Sequence, residues 1–102
     1  MELELLPLGS AVYTKLSQFP LIIAGYYPID SENARIAKYI AVDSVLGFGD
    51  GGKAVLLDQS DITEVISLGF TNERGDEYRR NIFLMYEKAG LKELIKNTFN
   101  DK

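Results

Sequence analysis

Val65-Ile66-Ser67-Leu68-Gly69-Phe70-Thr71-Asn72-Glu73-Arg74-Gly75-Asp76-Glu77-Tyr78 is the stretch in which the chain changes its hydrophobic period. From Val65 to Phe70, the apolar Ile66, Leu68 and Phe70 alternate with Ser67 and Gly69. That alternation predicts a half-buried strand with Ile66, Leu68 and Phe70 on its core face. Beyond it the spacing lengthens. Tyr78, Ile82, Met85, Tyr86 and Ala89 recur at helical intervals and predict an apolar stripe. Thr71 or Asn72 suits the N-cap, and Glu73, Asp76 and Glu77 suit the positive end of the helix dipole. Gly90 suits a left-handed stop, and Leu91 to Phe99 reads as one more short amphipathic helix.

Upstream of this switch the chain reads as short strands. Leu8 to Leu16 is a first strand, entered through Pro7 and Gly9, with Ser17 to Pro20 as a tight connection. Leu21 to Tyr27 is a nearly continuous apolar run, short and rich in β-formers, which predicts a central strand buried on both faces. Gly25 within it predicts a bulge or a sharp bend. Ile36 to Leu46 and Lys53 to Leu57 are the next two strands, joined by the turn Phe48-Gly49-Asp50-Gly51-Gly52. Asp61-Ile62-Thr63-Glu64 has the spacing of a capping box and predicts one helical turn before the last strand.

These elements predict a mainly β, α+β domain. Its expected form is a small five-stranded SH3-like antiparallel barrel or bent sheet with a C-terminal helix covering it. An open α+β sandwich is the alternative. A chain of 102 residues reads as a single domain over 1–102, with strands over about 8–70 and a helical C-terminus over about 72–99.

Composition narrows the chemistry. Hydrophobic residues make up 46% and charged residues 25%, an ordinary globular balance. The sequence contains neither Cys nor His. Disulfides, thiolate nucleophiles, Cys-ligated zinc and imidazole bases are therefore unavailable. Nothing in the pattern calls for a cofactor, a small-molecule substrate or an enzyme's acid–base pair. The net charge is -4, so a nucleic-acid partner is not expected. No apolar run reaches membrane-spanning length and the N-terminus lacks a cationic signal-peptide start, so the expected location is cytoplasmic without membrane insertion. Charge is uneven along the chain. Asp43, Asp50, Asp58, Asp61 and Glu64 face only Lys53 in one segment, while bases predominate from Tyr78 onward.

Two motifs resolve into structure rather than chemistry. Gly47-Phe48-Gly49-Asp50-Gly51-Gly52 formally spells the dinucleotide pattern G-x-G-x-x-G, but it lies between strands and carries an acid that repels phosphate, so it reads as a hairpin. The aspartates between Asp43 and Asp61 do not follow calcium-loop spacing and read as turn residues. The aromatics remain. Tyr26, Tyr27 and Phe48 lie near predicted strand ends and turns, and they are the expected partner-binding residues.

Leu5-Leu6-Pro7-Leu8-Gly9-Ser10-Ala11-Val12 resembles the opening of a small family from Gram-positive bacteria, domain-of-unknown-function family 4176, whose members typically begin Leu-Leu-Pro-Ile-Gly-Ser-Val-Val. Leu21-Ile22-Ile23-Ala24-Gly25, Tyr39-Ile40 and Asp61 to Phe70 are similar to later elements of that family, in order. Val45 to Gly52 departs from its central loop, and Glu87 to Lys102 looks like an extension. The resemblance implies a place in type VII secretion loci that export LXG-type toxins. The implied role is a non-enzymatic cytoplasmic adaptor, a chaperone or targeting factor whose partner is the secreted toxin or a secretion component. It transfers no catalytic residue. The alternative is an immunity protein that inhibits a cognate toxin, its acidic Asp43–Glu64 segment masking a basic site. A third reading is a homo-oligomer joined through an unprotected edge strand.

Overall fold

A computed structural model describes residues 4–49 and 51–93. Its strands are β1 (Ala11–Thr14), β2 (Ser17–Tyr26), β3 (Ile29–Asp30), β4 (Arg35–Ile36), β5 (Tyr39–Asp43), β6 (Ala54–Leu57) and β7 (Ile62–Ser67). Helix α1 spans Glu73–Phe83 and runs on into a π-helical turn, Leu84–Lys88. The fold is mainly β with a C-terminal helix. One antiparallel sheet has the order β6-β5-β2-β1-β7, and β3 and β4 form a separate small hairpin.

The sheet bends but does not close, so the barrel gives way to the bent-sheet form. β6 and β7 are its two edges. Ile82, Phe83 and Tyr86 of the helical segment pack against the core. The bending comes from bulges. Opposite Ile40 and Ala41, β2 carries the extra residue Ala24 beside Gly25, as the glycine predicts. A Cβ on Gly25 would come within 2.7 Å of Ile40 Cγ2, so the strands approach there only because the side chain is missing.

Several boundaries differ from expectation. The first hairpin turns at Lys15-Leu16, with Thr14 opposite Ser17. Ser17 to Pro20 belongs to β2, where a register shift accommodates a proline that cannot donate to a ladder. Leu8-Gly9 is a turn rather than strand, with Gly9 at φ +90° and Ser10 N–H donating to Pro7 O. The expected strand from Ile36 to Leu46 is split between β4 and β5. The helical turn forms earlier, at Gln59–Asp61, where Asp58 N–H donates to the Asp61 carboxylate (2.9 Å). Ile62, Thr63, Val65 and Ile66 are β-branched, and the segment forms β7 against β1, with Ile62 and Val65 paired, instead of extending a helix.

β7 also breaks its own alternation. Against β1, Val65 and Ser67 follow one another on consecutive partners, and so do Ile62 and Glu64, leaving Ile66 and Thr63 as extra residues. Neither face of this edge strand is buried, since Val65 and Ser67 are exposed as well as Ile66. The predicted core face, Ile66, Leu68 and Phe70, is exposed. On α1, Asn72 caps as expected, its Oδ1 accepting from Gly75 N–H (2.8 Å). The inward residues are Arg79, Ile82, Phe83 and Tyr86, however, while Tyr78 and Met85 are exposed. Gly90 takes φ +78° as the stop. The second helix begins at residues 91–93, and the remainder of that expectation lies outside the described residues.

The core is built from Leu5, Leu6, Val12, Leu21, Ile23, Tyr27, Ile36, Tyr39, Ala41 and Leu57. The chain crosses itself tightly at its rim. Gly69 N–H donates to the fully buried Ser10 Oγ (3.0 Å), and a Cβ on Gly69 would overlap the Leu8 carbonyl. Gly69→Ala is therefore expected to destabilise by about 1–3 kcal/mol. In a domain of this size that is a fall in Tm on the order of 10 °C. Calorimetry showing an unchanged Tm would mean that the crossing is not tight.

Candidate functional site: an aromatic groove around a buried guanidinium

The three aromatics singled out in the sequence do not form one patch. Tyr27 is only 5% exposed. It leaves β2 in a left-handed conformation (φ 52°), which costs energy for a residue with a Cβ. The surroundings hold it there. Its ring stacks on Tyr86 (4.4 Å between centroids, 9° between planes), its backbone N–H donates to Lys38 O (2.9 Å), and its hydroxyl donates to Glu87 Oε2 (3.0 Å). Tyr27 thus ties the helical segment to the sheet and offers a partner almost no surface. Tyr26 is half-buried, and its hydroxyl donates to Leu6 O (2.6 Å). Phe48 alone is free, 79% exposed at the tip of the β5–β6 hairpin beside exposed Val45 and Leu46. That tip is a hairpin, with bridges between Asp43 and Gly47 and between Gly49 and Gly52. Asp50 lies outside the described residues.

Tyr26 does reach a concave site on the other side of the molecule. A groove of about 460 Å³ is lined by Leu8, Gly25, Tyr26, Phe70, Asn72, Gly75, Tyr78 and Arg79. Leu8 comes from the turn before β1, Gly25 and Tyr26 from the end of β2, and Phe70 and Asn72 from the link into α1. Gly75, Tyr78 and Arg79 stand on the first turns of α1. The Gly69–Leu8 crossing sets this spacing, since it brings Leu8 and Phe70 to the same rim. Phe70 is 82% exposed and Tyr78 58% exposed, so two large aromatic walls stand in water. Arg79 is the opposite, a guanidinium only 9% exposed, paired with the exposed Asp76 one turn earlier. It also lies beside the Tyr26 hydroxyl. Burial pushes that phenol above its ordinary range, against the pull of the Arg79 charge.

Sequence pattern alone misplaces these residues. Phe70 and Tyr78 fall on apolar stripes and read as core. Arg79 is found only by shifting the helical stripe one residue, to Arg79, Ile82, Phe83 and Tyr86. The acidic segment is also more committed than its charge count suggests. Asp58 pairs with Arg35 (2.6 Å), Asp61 with Lys15 (3.8 Å), and the Asp43 carboxylate accepts from the backbone of Val45 and Leu46. Among the described residues no cluster of acids has the arrangement of a metal site, and no helix is long and apolar enough to cross a membrane. What the groove offers is apolar and aromatic surface around buried cationic donors, a combination suited to binding.

A family model described as Domain of unknown function (DUF4176) matches residues 5–78. The chain belongs to the DUF4176 family. Neither a curated protein nor a solved structure matches it. The DUF4176 match spans all seven strands and the opening turns of α1, and it ends at Tyr78 on the groove wall. Most of the groove is thus built from DUF4176 positions, with Arg79 the next residue along the helix.

Beneath the groove, Tyr39 is fully buried and its hydroxyl accepts from Leu6 N–H (2.9 Å). Burial pushes its pKa up to about 12 from 10.0. Between those values an unfolded chain releases a proton that the folded chain keeps. Stability on this account is complete below the lower value and is lost as pH rises toward the higher one. The Tm is expected to fall across that window together with a late rise in phenolate absorbance. Tyr39→Phe should lessen the fall without abolishing it, since burial also raises Tyr26 and Tyr27, and should lower stability at neutral pH by about 1–3 kcal/mol, because Leu6 N–H loses its acceptor. A pH-independent Tm across the window would contradict the burial of this hydroxyl.

Proposed function

We propose that this DUF4176 chain is a non-enzymatic protein-binding module. In this reading it is a cytoplasmic chaperone or targeting factor that holds a type VII-secreted LXG-type toxin before export. The observation that carries the binding role is the exposed apolar rim of the groove. Leu8, Phe70 and Tyr78 line the groove together and stand in water. Contiguous apolar surface of that kind marks interaction sites, and aromatic residues dominate the energetics of such sites. The toxin as client is what the family resemblance implies.

The adaptor reading is preferred to an immunity protein on charge. Masking a basic catalytic site calls for free carboxylates, and Asp58, Asp61 and Asp43 are already engaged within the chain.

Co-expression with LXG-type toxins from the same genome tests this. The expected result is a stable complex from which the toxin is recovered active. Phe70→Ala and Tyr78→Ala should each weaken the complex about tenfold, the range of an interface anchor, with little change in Tm because both side chains are exposed. A toxin whose activity is abolished in the complex would favour immunity. Failure to form any complex would overturn the adaptor reading.

A further inference from the structure

Arg79 has more donors than partners. A guanidinium carries five N–H groups. Its Nη2 donates to Asp76 Oδ1, and the guanidinium also meets the Tyr26 hydroxyl. Yet among the described residues no buried side-chain nitrogen or oxygen lacks a partner. The remaining Arg79 nitrogens must therefore keep some access to solvent although the residue is 9% exposed, and the opening beside them is the groove that Arg79 lines. A cation with unspent donors sits under aromatic and aliphatic walls. Gly25 and Gly75 keep the floor open.

We infer that this groove seats an apolar-and-acidic segment of a partner protein. A Leu or Phe side chain lies among Leu8, Phe70 and Tyr78, and an adjacent Asp or Glu carboxylate meets Arg79. Complementarity argues for the carboxylate, since a guanidinium favours planar anions and Arg79 has donors beyond those given to Asp76 and Tyr26. The exposed acids Glu73 and Glu77 on the same helix argue against a polyanion such as a polyphosphate. The walls argue for a macromolecule. A small ligand filling the groove would leave the outer faces of Phe70 and Tyr78 wet, whereas a protein surface covers them. This inference rests on the binding role proposed above and adds the chemistry of the client segment.

The test uses two small probes differing only in charge, N-acetyl-phenylalanine as its carboxylate and N-acetyl-phenylalaninamide. Each is titrated into the full chain and followed by the amide signals of Gly25, Gly75 and Tyr78 and the Arg79 Nε–H signal. The expected result is millimolar binding with shifts confined to the groove, the carboxylate at least fivefold tighter than the amide. Tyr78→Ala should weaken both probes without moving the Tm. Arg79→Lys, checked for folding by the same spectra, should reduce the preference for the carboxylate. Equal affinity for the two probes, shifts centred elsewhere, or no shifts at all would overturn the assignment. Micromolar binding of the carboxylate probe would point to a small-molecule site and overturn the protein partner. Concentration-dependent doubling of mass in light scattering, abolished by Phe48→Ala, would make a second copy the occupant and do the same. None of these outcomes depends on the toxin, so failure here leaves the co-expression test of the adaptor role intact.

Discussion

Leu6 sits in a buried stretch of irregular chain, and both of its backbone groups are held by tyrosines from the sheet. Its N–H donates to Tyr39 Oη of β5, and its carbonyl accepts from Tyr26 Oη at the end of β2. A buried backbone with neither helix nor ladder needs partners from somewhere, because each unpaired group costs about as much as a lost hydrogen bond. Here two phenols supply them, and their rings (6.1 Å apart, tilted at 55°) fill the core at the same time. The segment Leu5-Leu6-Pro7 can therefore lie inside the domain as a lid on the sheet rather than as a strand of it. The next residues must then turn at Gly9 and enter β1 beneath the crossing with Gly69.

That single constraint propagates to the groove. With Leu6 fixed, Leu8 is carried to the rim and the Leu8 carbonyl lies where only a glycine can pass. β7 ends there, and Phe70 emerges beside Leu8 instead of beneath the sheet. The helix starts two residues later at the Asn72 cap, so Tyr78 and Arg79 are delivered to the same place by the second turn of α1. At its far end the helical segment is secured by the Tyr27–Tyr86 stack and by Glu87, which accepts from Tyr27 and lies 3.9 Å from Lys92. A helix pinned at its end and capped at its start is a rigid wall, which suits a binding surface better than a loop does.

The two edges of the sheet show how the domain manages exposure. β6 is four residues long, and β7 carries two bulges against β1. Short and bulged edges resist the addition of further strands. The surface left for a partner is therefore side-chain surface, at the groove and at the Val45–Phe48 hairpin tip, rather than open backbone.

Much of the architecture was legible from local pattern. Period-2 and helical stripes located the sheet and α1, Gly25 marked its bulge, Asn72 its cap and Gly90 its stop, because these depend on backbone sterics within a few residues. Absence of Cys and His excluded thiol and imidazole chemistry outright. What local pattern could not decide was which face ended up inside. β7 is an edge strand covered on neither face, so Ile66 stands in water, as do Leu68 and Phe70 beyond its end. The inward face of α1 took Arg79 in place of Tyr78, because the sheet presents a tyrosine hydroxyl there rather than an apolar hollow. Tyr26 and Tyr27 looked like free aromatics at a strand end and were consumed by Leu6 and by the helix. Such outcomes depend on contacts between residues far apart in the chain, such as Leu6 with Tyr39, Ser10 with Gly69 and Tyr27 with Glu87. The sequence by itself determined the elements and the chemistry available to them, and only the tertiary structure decided which side chains were left over to bind.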